Sequence, residues 1–221
     1  ASSRHNDARW KGVAMNGGIA ALNPAGPQAA SLTGLSWILI AMFFAVTAVV
    51  IVFTAIAVMR GGKAKSFIGK RWIVVWGGLA FPAVVVTGLL IYSLAVTEKV
   101  TAQPAPGDVR IRVAGEMWWW RVQYLDAGGV AFEAANQIHI PVGRPVSFEL
   151  VSNDVIHSFW VPQLGGKMDM IPGRTNTLRL QADEPGIYRG QCTEYCGGAH
   201  ALMALEVVAQ SQAEFDAWAA A

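Results

Sequence analysis

The sequence predicts a two-helix membrane anchor followed by a β-sandwich domain, an α+β architecture whose two parts are consecutive along the chain. Two runs of 25 residues, 35–59 and 72–96, contain no charged side chain. The chain beyond residue 96 instead alternates short apolar runs with turns that contain Gly and Pro. A hydrophobic content of 53% over 221 residues is too high for an ordinary soluble domain, which supports this division.

Each apolar run is long enough to cross a membrane as a helix. A run of 25 residues forms roughly 37 Å of helix, against a hydrocarbon core of roughly 30 Å, which argues against two buried helices of a soluble core. Pro82 lies inside the second run, where a membrane helix tolerates proline if neighbouring groups satisfy the freed carbonyl. The connecting loop, 60–71, holds five cations, which places it on the cytoplasmic side.

This orientation divides the chain into three predicted segments. Residues 1–34 form an extracytoplasmic N-terminal arm rich in Gly, Ala, Asn and Ser, to which we assign no chemistry, and its His5 is most simply a solvated side chain. Residues 35–96 form the transmembrane hairpin, and residues 97–221 lie on the periplasmic side. We expect an integral membrane protein, with the bacterial cytoplasmic (inner) membrane as its location and the C-terminal domain on the periplasmic side.

Charge divides the chain at the same place. Residues 97–221 carry nine Lys/Arg and fourteen Asp/Glu, a net charge of −5, whereas the preceding part carries +7. An acidic domain favours a basic partner, attracted by long-range electrostatics that salt weakens. The sequence shows no pattern typical of a nucleic-acid surface.

Seven short runs after the anchor have strand character, and several alternate apolar with polar residues: 109–113, 118–124, 137–142, 146–151, 177–180, 187–191 and 203–208. Short strands at such close spacing predict a β-sandwich or barrel of about a hundred residues. Residues 210–220 contain helix formers and predict a short closing helix. His139 lies in a strand between two isoleucines, where we expect a packed or surface side chain and not a metal ligand.

The most informative stretch runs from Cys192 to Met203. Cys196, His200 and Met203, with a histidine from an earlier strand, form the ligand set of a mononuclear copper site on a β-sandwich. His157 supplies that histidine, 35 residues before Cys192. Cys192 is then one cysteine too many, but it lies only four residues before Cys196. Two thiolates can bridge two copper ions, with both histidines as terminal ligands and the thioether and a main-chain carbonyl in weak positions.

Two other interpretations of the cysteines use fewer of these residues. A disulfide between Cys192 and Cys196 suits an extracytoplasmic domain, but it leaves both histidines and the methionine without a role. Zinc accepts the cysteine spacing, but it gains nothing from a thioether, and structural zinc sites close with four Cys or His ligands. Soft sulfur together with imidazole suits copper. A copper pair also suits electron transfer, because one electron shared over two metals changes each metal–ligand bond only slightly.

These residues resemble the signatures of subunit II of the haem–copper cytochrome c oxidases, a family whose dinuclear copper centre is called CuA. The pattern C-x-E-x-C-G-x-x-H-x-x-M is matched by residues 192–203, and D-V-x-H-S-x by residues 154–159. The run Asp-Met-Ile-Pro-Gly-Arg at 169–174 and the aromatic run Met-Trp-Trp-Trp at 117–120 extend the match. The resemblance covers the chain from the first helix to about Val208 and implies a cupredoxin-like sandwich.

The resemblance also implies a set of copper ligands: Cys192 and Cys196 as bridges, with His157, His200 and Met203 as further ligands. Glu194 would bind copper through its backbone carbonyl and turn its carboxylate toward a magnesium site shared with subunit I. Trp118 resembles the surface tryptophan through which cytochrome c delivers its electron, with core or interface packing as the alternative. In a strand, Trp118 and Trp120 share one face while Trp119 takes the other.

The function that the resemblance implies is electron transfer in a terminal respiratory oxidase. The chain would accept electrons from cytochrome c and pass them to haem in subunit I, where oxygen is reduced to water with proton pumping. Its expected partners are subunit I, other oxidase subunits, cytochrome c and the membrane. The chain departs from many relatives at the start of the second helix, where Lys70 and Arg71 stand near the place of an acidic residue at a proton-channel mouth.

Two alternatives remain open at this point. The same copper centre serves in a membrane nitric oxide reductase, which the haem–metal site of the partner would distinguish. A membrane-anchored copper chaperone of thioredoxin-like fold also uses two cysteines separated by three residues and a distant histidine. In the chaperone the histidine follows the cysteines, whereas here His157 precedes them.

Overall fold

The computed structural model describes residues 20–60, 69–101 and 103–221. The prediction for His5, most of the arm 1–34 and the loop cations Lys63 and Lys65 lie outside the described residues.

Within these described ranges, two helical stretches are long and apolar enough to cross a membrane, Pro27–Met59 and Arg71–Glu98. The first lies in helix α1, Pro27–Arg60, which begins before the predicted apolar run and has proline at its first position. The second consists of α2, Arg71–Val75, a π-helical turn at Trp76–Ala80, and α3, Phe81–Val100. Both predicted apolar runs therefore lie within helices of spanning length.

The π-helical turn directly precedes Pro82. Within it, the N–H of Phe81 donates to the carbonyl of Trp76, five residues back. In a regular α-helix the ring of Pro82 would clash with the carbonyl of Gly78, and that carbonyl would lose its donor. The wider turn accommodates the proline without ending the helix. Local backbone adjustment thus explains how the apolar run stays helical.

The C-terminal part forms a β-sandwich, as the sequence predicts. Ten strands lie within the described residues: β1 Val109–Glu116, β2 Trp119–Asp126, β3 Gly129–Ala135, β4 Gln137–Pro141, β5 Val146–Ser152, β6 His157–Trp160, β7 Met168–Met170, β8 Asn176–Leu180, β9 Gly186–Cys192 and β10 Ala204–Gln210. The first sheet has the order β3-β2-β1-β5-β8 and the second β4-β10-β9-β6-β7. The pairs β1–β5 and β4–β10 are parallel. This two-sheet architecture is not the thioredoxin-like fold of the chaperone alternative.

The core lies between the two sheets and follows the period-2 alternation of the strands. Ile111 and Val113 of β1 and Trp120 and Val122 of β2 are fully buried. The Trp120 ring meets Phe159 of the opposite sheet edge-on, with ring centroids 5.8 Å apart. Full burial of one such side chain contributes about 1.5–3 kcal/mol, so this layer fixes the strands that carry the candidate site.

The segment before α1 also contacts the sandwich, which the sequence did not indicate. The Ala25 N–H donates to the Gln163 carbonyl at 2.8 Å, and the Asp183 N–H donates to the Ala25 carbonyl at 2.8 Å. A Cβ atom on Gly26 would lie 2.1 Å from the carbonyl oxygen of Gln181, so only glycine fits this approach. This part of the N-terminal arm is therefore an ordered edge of the domain.

A short helix closes the chain, α4 at Gln212–Ala219, and a capping box between Ser211 and Glu214 begins it. Trp218 of this helix stacks on His139, with ring centroids 4.1 Å apart and planes 10° apart. The Nδ1 of His139 lies 3.3 Å from Gln210 Oε1. His139 is thus a packed side chain, and it belongs to the contact between α4 and the sandwich.

Burial lowers the pKa of His139, although the hydrogen bond that the ring donates to Gln210 Oε1 partly opposes this effect. We expect stability to fall as the pH drops below about 6.5, because the unfolded chain then binds a proton that the folded chain does not. Thermal unfolding of the full chain in detergent, compared with His139→Phe between about pH 8 and pH 5, measures this contribution. Phenylalanine keeps the ring against Trp218 but cannot titrate. Equal pH dependence in both proteins would contradict the prediction.

Candidate metal centre

Two adjacent strands of the second sheet bring the predicted ligands together. His157 is the first residue of β6 and Cys192 the last of β9, and the two strands pair antiparallel. The loop after Cys192 is held at both ends: the Thr193 N–H donates to the Ser158 carbonyl at 3.1 Å, and the Cys192 N–H donates to the Met203 carbonyl at 2.9 Å. The loop therefore folds back over the end of β6.

The donor atoms of five side chains converge in one small volume. Cys192 Sγ lies 3.8 Å from Cys196 Sγ and 3.8 Å from His157 Nδ1. Cys196 Sγ in turn lies 3.5 Å from His200 Nδ1 and 3.8 Å from Met203 Sδ. Separations of this size suit donors that face a common centre, and the mixture of thiol, imidazole and thioether suits copper.

The two cysteines are free. Their sulfur atoms are 3.8 Å apart, far beyond the roughly 2.05 Å of a disulfide bond. Burial and the neighbouring Cys192 thiol raise the pKa of the Cys196 thiol to about 11. A metal must therefore displace a proton from a buried thiol, so metal binding should release protons and weaken in acid.

The Asp154 carboxylate contacts the His157 ring on the side away from Cys192. Its Oδ1 lies 2.8 Å from His157 Nε2, and a carboxylate can only accept, so Nε2 carries the proton and the Nδ1 lone pair faces Cys192. Burial acts to raise the Asp154 pKa, but hydrogen bonds from His157 and from the backbone N–H groups of Met117 and Val155 keep it below its ordinary value. This carboxylate–histidine contact recurs beside metal-binding histidines.

Two further predicted positions lie in the same loop. His200 is half-buried, so it forms the more accessible side of the cluster. The Glu194 carbonyl oxygen lies 3.2 Å from Cys192 Sγ, which places a main-chain oxygen beside the cluster as predicted. Glu194 is half-buried, and its carboxylate has no hydrogen-bond partner among the described residues. Its predicted magnesium contact stays a prediction.

Trp118 lies in the turn between β1 and β2 and not in a strand. The expectation that Trp118 and Trp120 share one strand face is therefore wrong, because the turn separates them. Trp120 is fully buried, whereas Trp118 is 41% exposed and donates its indole N–H to the Cys196 carbonyl at 3.1 Å. Trp119 instead stacks under Arg121, whose guanidinium carbon is 4.9 Å from the ring centroid.

Comparisons with known proteins show which family this chain resembles. The model of the periplasmic domain of cytochrome c oxidase subunit II matches residues 131–211. Cytochrome c oxidase subunit 2 of Alkalihalophilus pseudofirmus is 50% identical over 117 residues, which are 52% of this chain and 33% of that protein. Cytochrome c oxidase subunit 2 of Thermostichus vulcanus is 42% identical over 111 residues, 50% of this chain and 32% of that protein.

A solved structure gives the same result. The crystal structure of the periplasmic domain of subunit II of cytochrome oxidase from Bradyrhizobium japonicum is 31% identical, with a TM-score of 0.50. The alignment covers 53% of this chain and 95% of that chain. The chain spans about a third of the length of the two curated relatives above.

The fold and the site together define a cupredoxin-like β-sandwich protein, with two helices of membrane-spanning length and a His/Cys/Cys cluster that fits copper. The chain belongs to the family of cytochrome c oxidase subunit II.

Proposed function

We propose that this chain is the electron-transfer subunit of a terminal respiratory oxidase and holds a dinuclear CuA centre. The observation that carries the proposal is the convergence of two free, buried thiols with two imidazole Nδ1 atoms and a thioether. Family membership supports it. The donors would be Cys192 and Cys196 as bridges, His157 and His200 as terminal ligands, and Met203 with the Glu194 carbonyl in weak positions. Two coppers held by these residues would provide one-electron transfer, accepting an electron from a donor and passing it on, and sharing the charge over both metals would change each metal–ligand bond only slightly.

The chain's own residues provide the entry path and the enclosure. Cys192, Cys196 and Met203 are at most 5% exposed, so protein atoms and not water surround the sulfur donors. Trp118 is exposed on one side and hydrogen-bonded to the ligand loop on the other, which gives an arriving electron a short bonded path inward. The net charge of −5 on residues 97–221 would attract a basic cytochrome c.

The remaining functional assignments follow from the family. The electron would pass to haem in subunit I, where oxygen is reduced to water with proton pumping, and the Glu194 carboxylate would contribute to a magnesium site shared with that subunit. The protein would lie in the bacterial cytoplasmic membrane with residues 97–221 in the periplasm. The cytochrome c donor and the other oxidase subunits are its proposed partners.

A copper titration of the full chain in detergent, followed by EPR, tests the centre itself. We expect about two coppers per chain from the donor set, and hyperfine structure from one unpaired electron shared over two equivalent coppers. A single-copper pattern, or a chain that binds no copper, would overturn the proposal.

The Trp118→Phe substitution is expected to slow electron entry while the copper content stays unchanged. Phenylalanine keeps an aromatic ring but removes the N–H that bonds to the Cys196 carbonyl. We expect the rate of reduction by cytochrome c to fall about tenfold, equivalent to about 1.4 kcal/mol of activation free energy. Stopped-flow absorbance measures this rate, and Trp119→Phe is the matched control. An unchanged rate for Trp118→Phe would move the entry point elsewhere.

A further inference from the structure

His157 is fully buried, and the Trp120 ring lies beside its imidazole with ring centroids 6.3 Å apart. Two further groups that are not proposed as metal donors approach the ring more closely. Asp154 faces Nε2 at the edge of the imidazole. Gly115 of β1, on the opposite sheet of the sandwich, lies against the ring itself. Together these contacts leave the imidazole little freedom to turn.

The Asp154 carboxylate is itself held in place. Its Oδ2 accepts the Met117 N–H at 2.6 Å, and its Oδ1 accepts the Val155 N–H at 2.6 Å as well as facing His157. Met117 lies in the turn between β1 and β2, so the carboxylate connects that turn to the start of β6. Because backbone N–H groups hold the carboxylate in place, it can fix the orientation of the ring. A carboxylate without these contacts would rotate together with the imidazole.

Gly115 approaches His157 more closely than any other residue type allows. A Cβ atom at this position would lie 2.7 Å from Cδ2, 2.9 Å from Cγ and 3.1 Å from Cβ of His157. These are its three nearest atoms, so an added methyl group would press first on the imidazole. The imidazole ring of His157 thus occupies the space that a side chain at position 115 would need.

Strand pairing holds the backbone at Gly115, so it does not easily move away from His157. It lies in the middle strand of its sheet, opposite Trp120 of β2 and Ser152 of β5. Its carbonyl also accepts the Asn153 N–H at 3.2 Å. Because hydrogen bonds hold the strand on both sides, a methyl group at 115 would displace His157 and not β1.

We propose that Gly115 and Asp154 are positioning residues that aim Nδ1 of His157 at Cys192 Sγ. Gly115 sets the ring plane by close packing, and Asp154 sets the ring's rotation and tautomer through Nε2. The inference rests on the proposed function, in which His157 is a copper ligand. It adds a residue from the opposite sheet, with no donor atom in its side chain, to the determinants of the centre.

The test compares Gly115→Ala and Asp154→Ala with Gly165→Ala in the full chain in detergent. Gly165 is a matched control, since its Cβ would lie 2.5 Å from Leu180 Cδ2, a comparable overlap against a side chain outside the cluster. Copper affinity and EPR hyperfine structure are one readout. The second is ¹⁵N NMR of the His157 ring in the copper-free chain, which reports its tautomer and surroundings without any metal.

For Gly115→Ala and Asp154→Ala we expect copper affinity to fall roughly 10- to 100-fold. The two coppers should become inequivalent in Gly115→Ala, and the Nε2-protonated tautomer should give way to a mixture in Asp154→Ala. Gly165→Ala should match the wild type in both readouts. A wild-type chain without a paired-copper signal would overturn the proposed function and this inference with it. A normal wild-type signal that both site variants retain, or that Gly165→Ala loses equally, would overturn this inference alone.

Discussion

The Cys196→Ser substitution should abolish the paired-copper EPR signal and leave at most about one weakly held copper per chain. Cys196 Sγ has three other donors within 3.8 Å, those of Cys192, His200 and Met203. A serine hydroxyl of similar size is a hard donor that does not replace a thiolate at copper, so the remaining cysteine has no partner for a bridge. The fold should survive, because the substitution changes one atom in a loop that backbone hydrogen bonds hold at both ends.

Tyr195→Phe is the control for this experiment. Tyr195 is adjacent to Cys196 in the same loop, is 77% exposed, and contacts the His200 ring edge-on at 5.7 Å. Removal of its hydroxyl should leave both copper content and hyperfine structure unchanged. A paired signal that persists in Cys196→Ser and also in Cys192→Ser would end the bridging model and leave the cysteines a structural role.

The clustering of these donor side chains could be predicted from the sequence because most of them are local. Four of the five side chains belong to the segment from Cys192 to Met203, and a hydrogen bond between the Cys192 N–H and the Met203 carbonyl closes the loop that brings them together. The two helices of membrane-spanning length could also be predicted from the sequence, since the length of an apolar run is enough to predict such a helix. The distant member of the cluster, His157, is predicted from the residue types of its partners, because no pattern along the chain indicates that it lies near them.

Other features depend on tertiary register, which a single sequence does not encode locally. The sequence does not predict strand β3, Gly129–Ala135, because this strand is mostly exposed and contains small residues. It does not predict β7, Met168–Met170, because that strand is only three residues long. The displacement of Trp118 into a turn depends on where the β1–β2 pairing stops. The contact of Gly115 with His157 crosses from one sheet to the other, so no pattern along the chain reveals it.

The site loop also contains two consecutive glycines, and the structure distinguishes their roles. Gly197 has a φ of +116°, a conformation that other residues rarely adopt, whereas Gly198 has no positive φ. A Cβ on Gly197 would lie 3.2 Å from Nε1 of Trp118, and one on Gly198 would have no atom within 4 Å beyond its chain neighbours. Of the two glycines, only Gly197 therefore has a backbone conformation that favours glycine over other residues.

The Gly197→Ala substitution is therefore expected to weaken copper binding about 5- to 150-fold. Strain of order 1–3 kcal/mol at such a backbone conformation corresponds to this range. The loop can relieve it only by shifting, and the His200 N–H donates to the Gly197 carbonyl at 3.2 Å, so the shift would move a proposed ligand. Competition titration with a copper chelator measures the affinity, and Gly198→Ala should bind copper like the wild type. Equal affinities for Gly197→Ala and Gly198→Ala would show that the loop geometry does not depend on the left-handed residue, because an alanine at 197 would then be accommodated without cost.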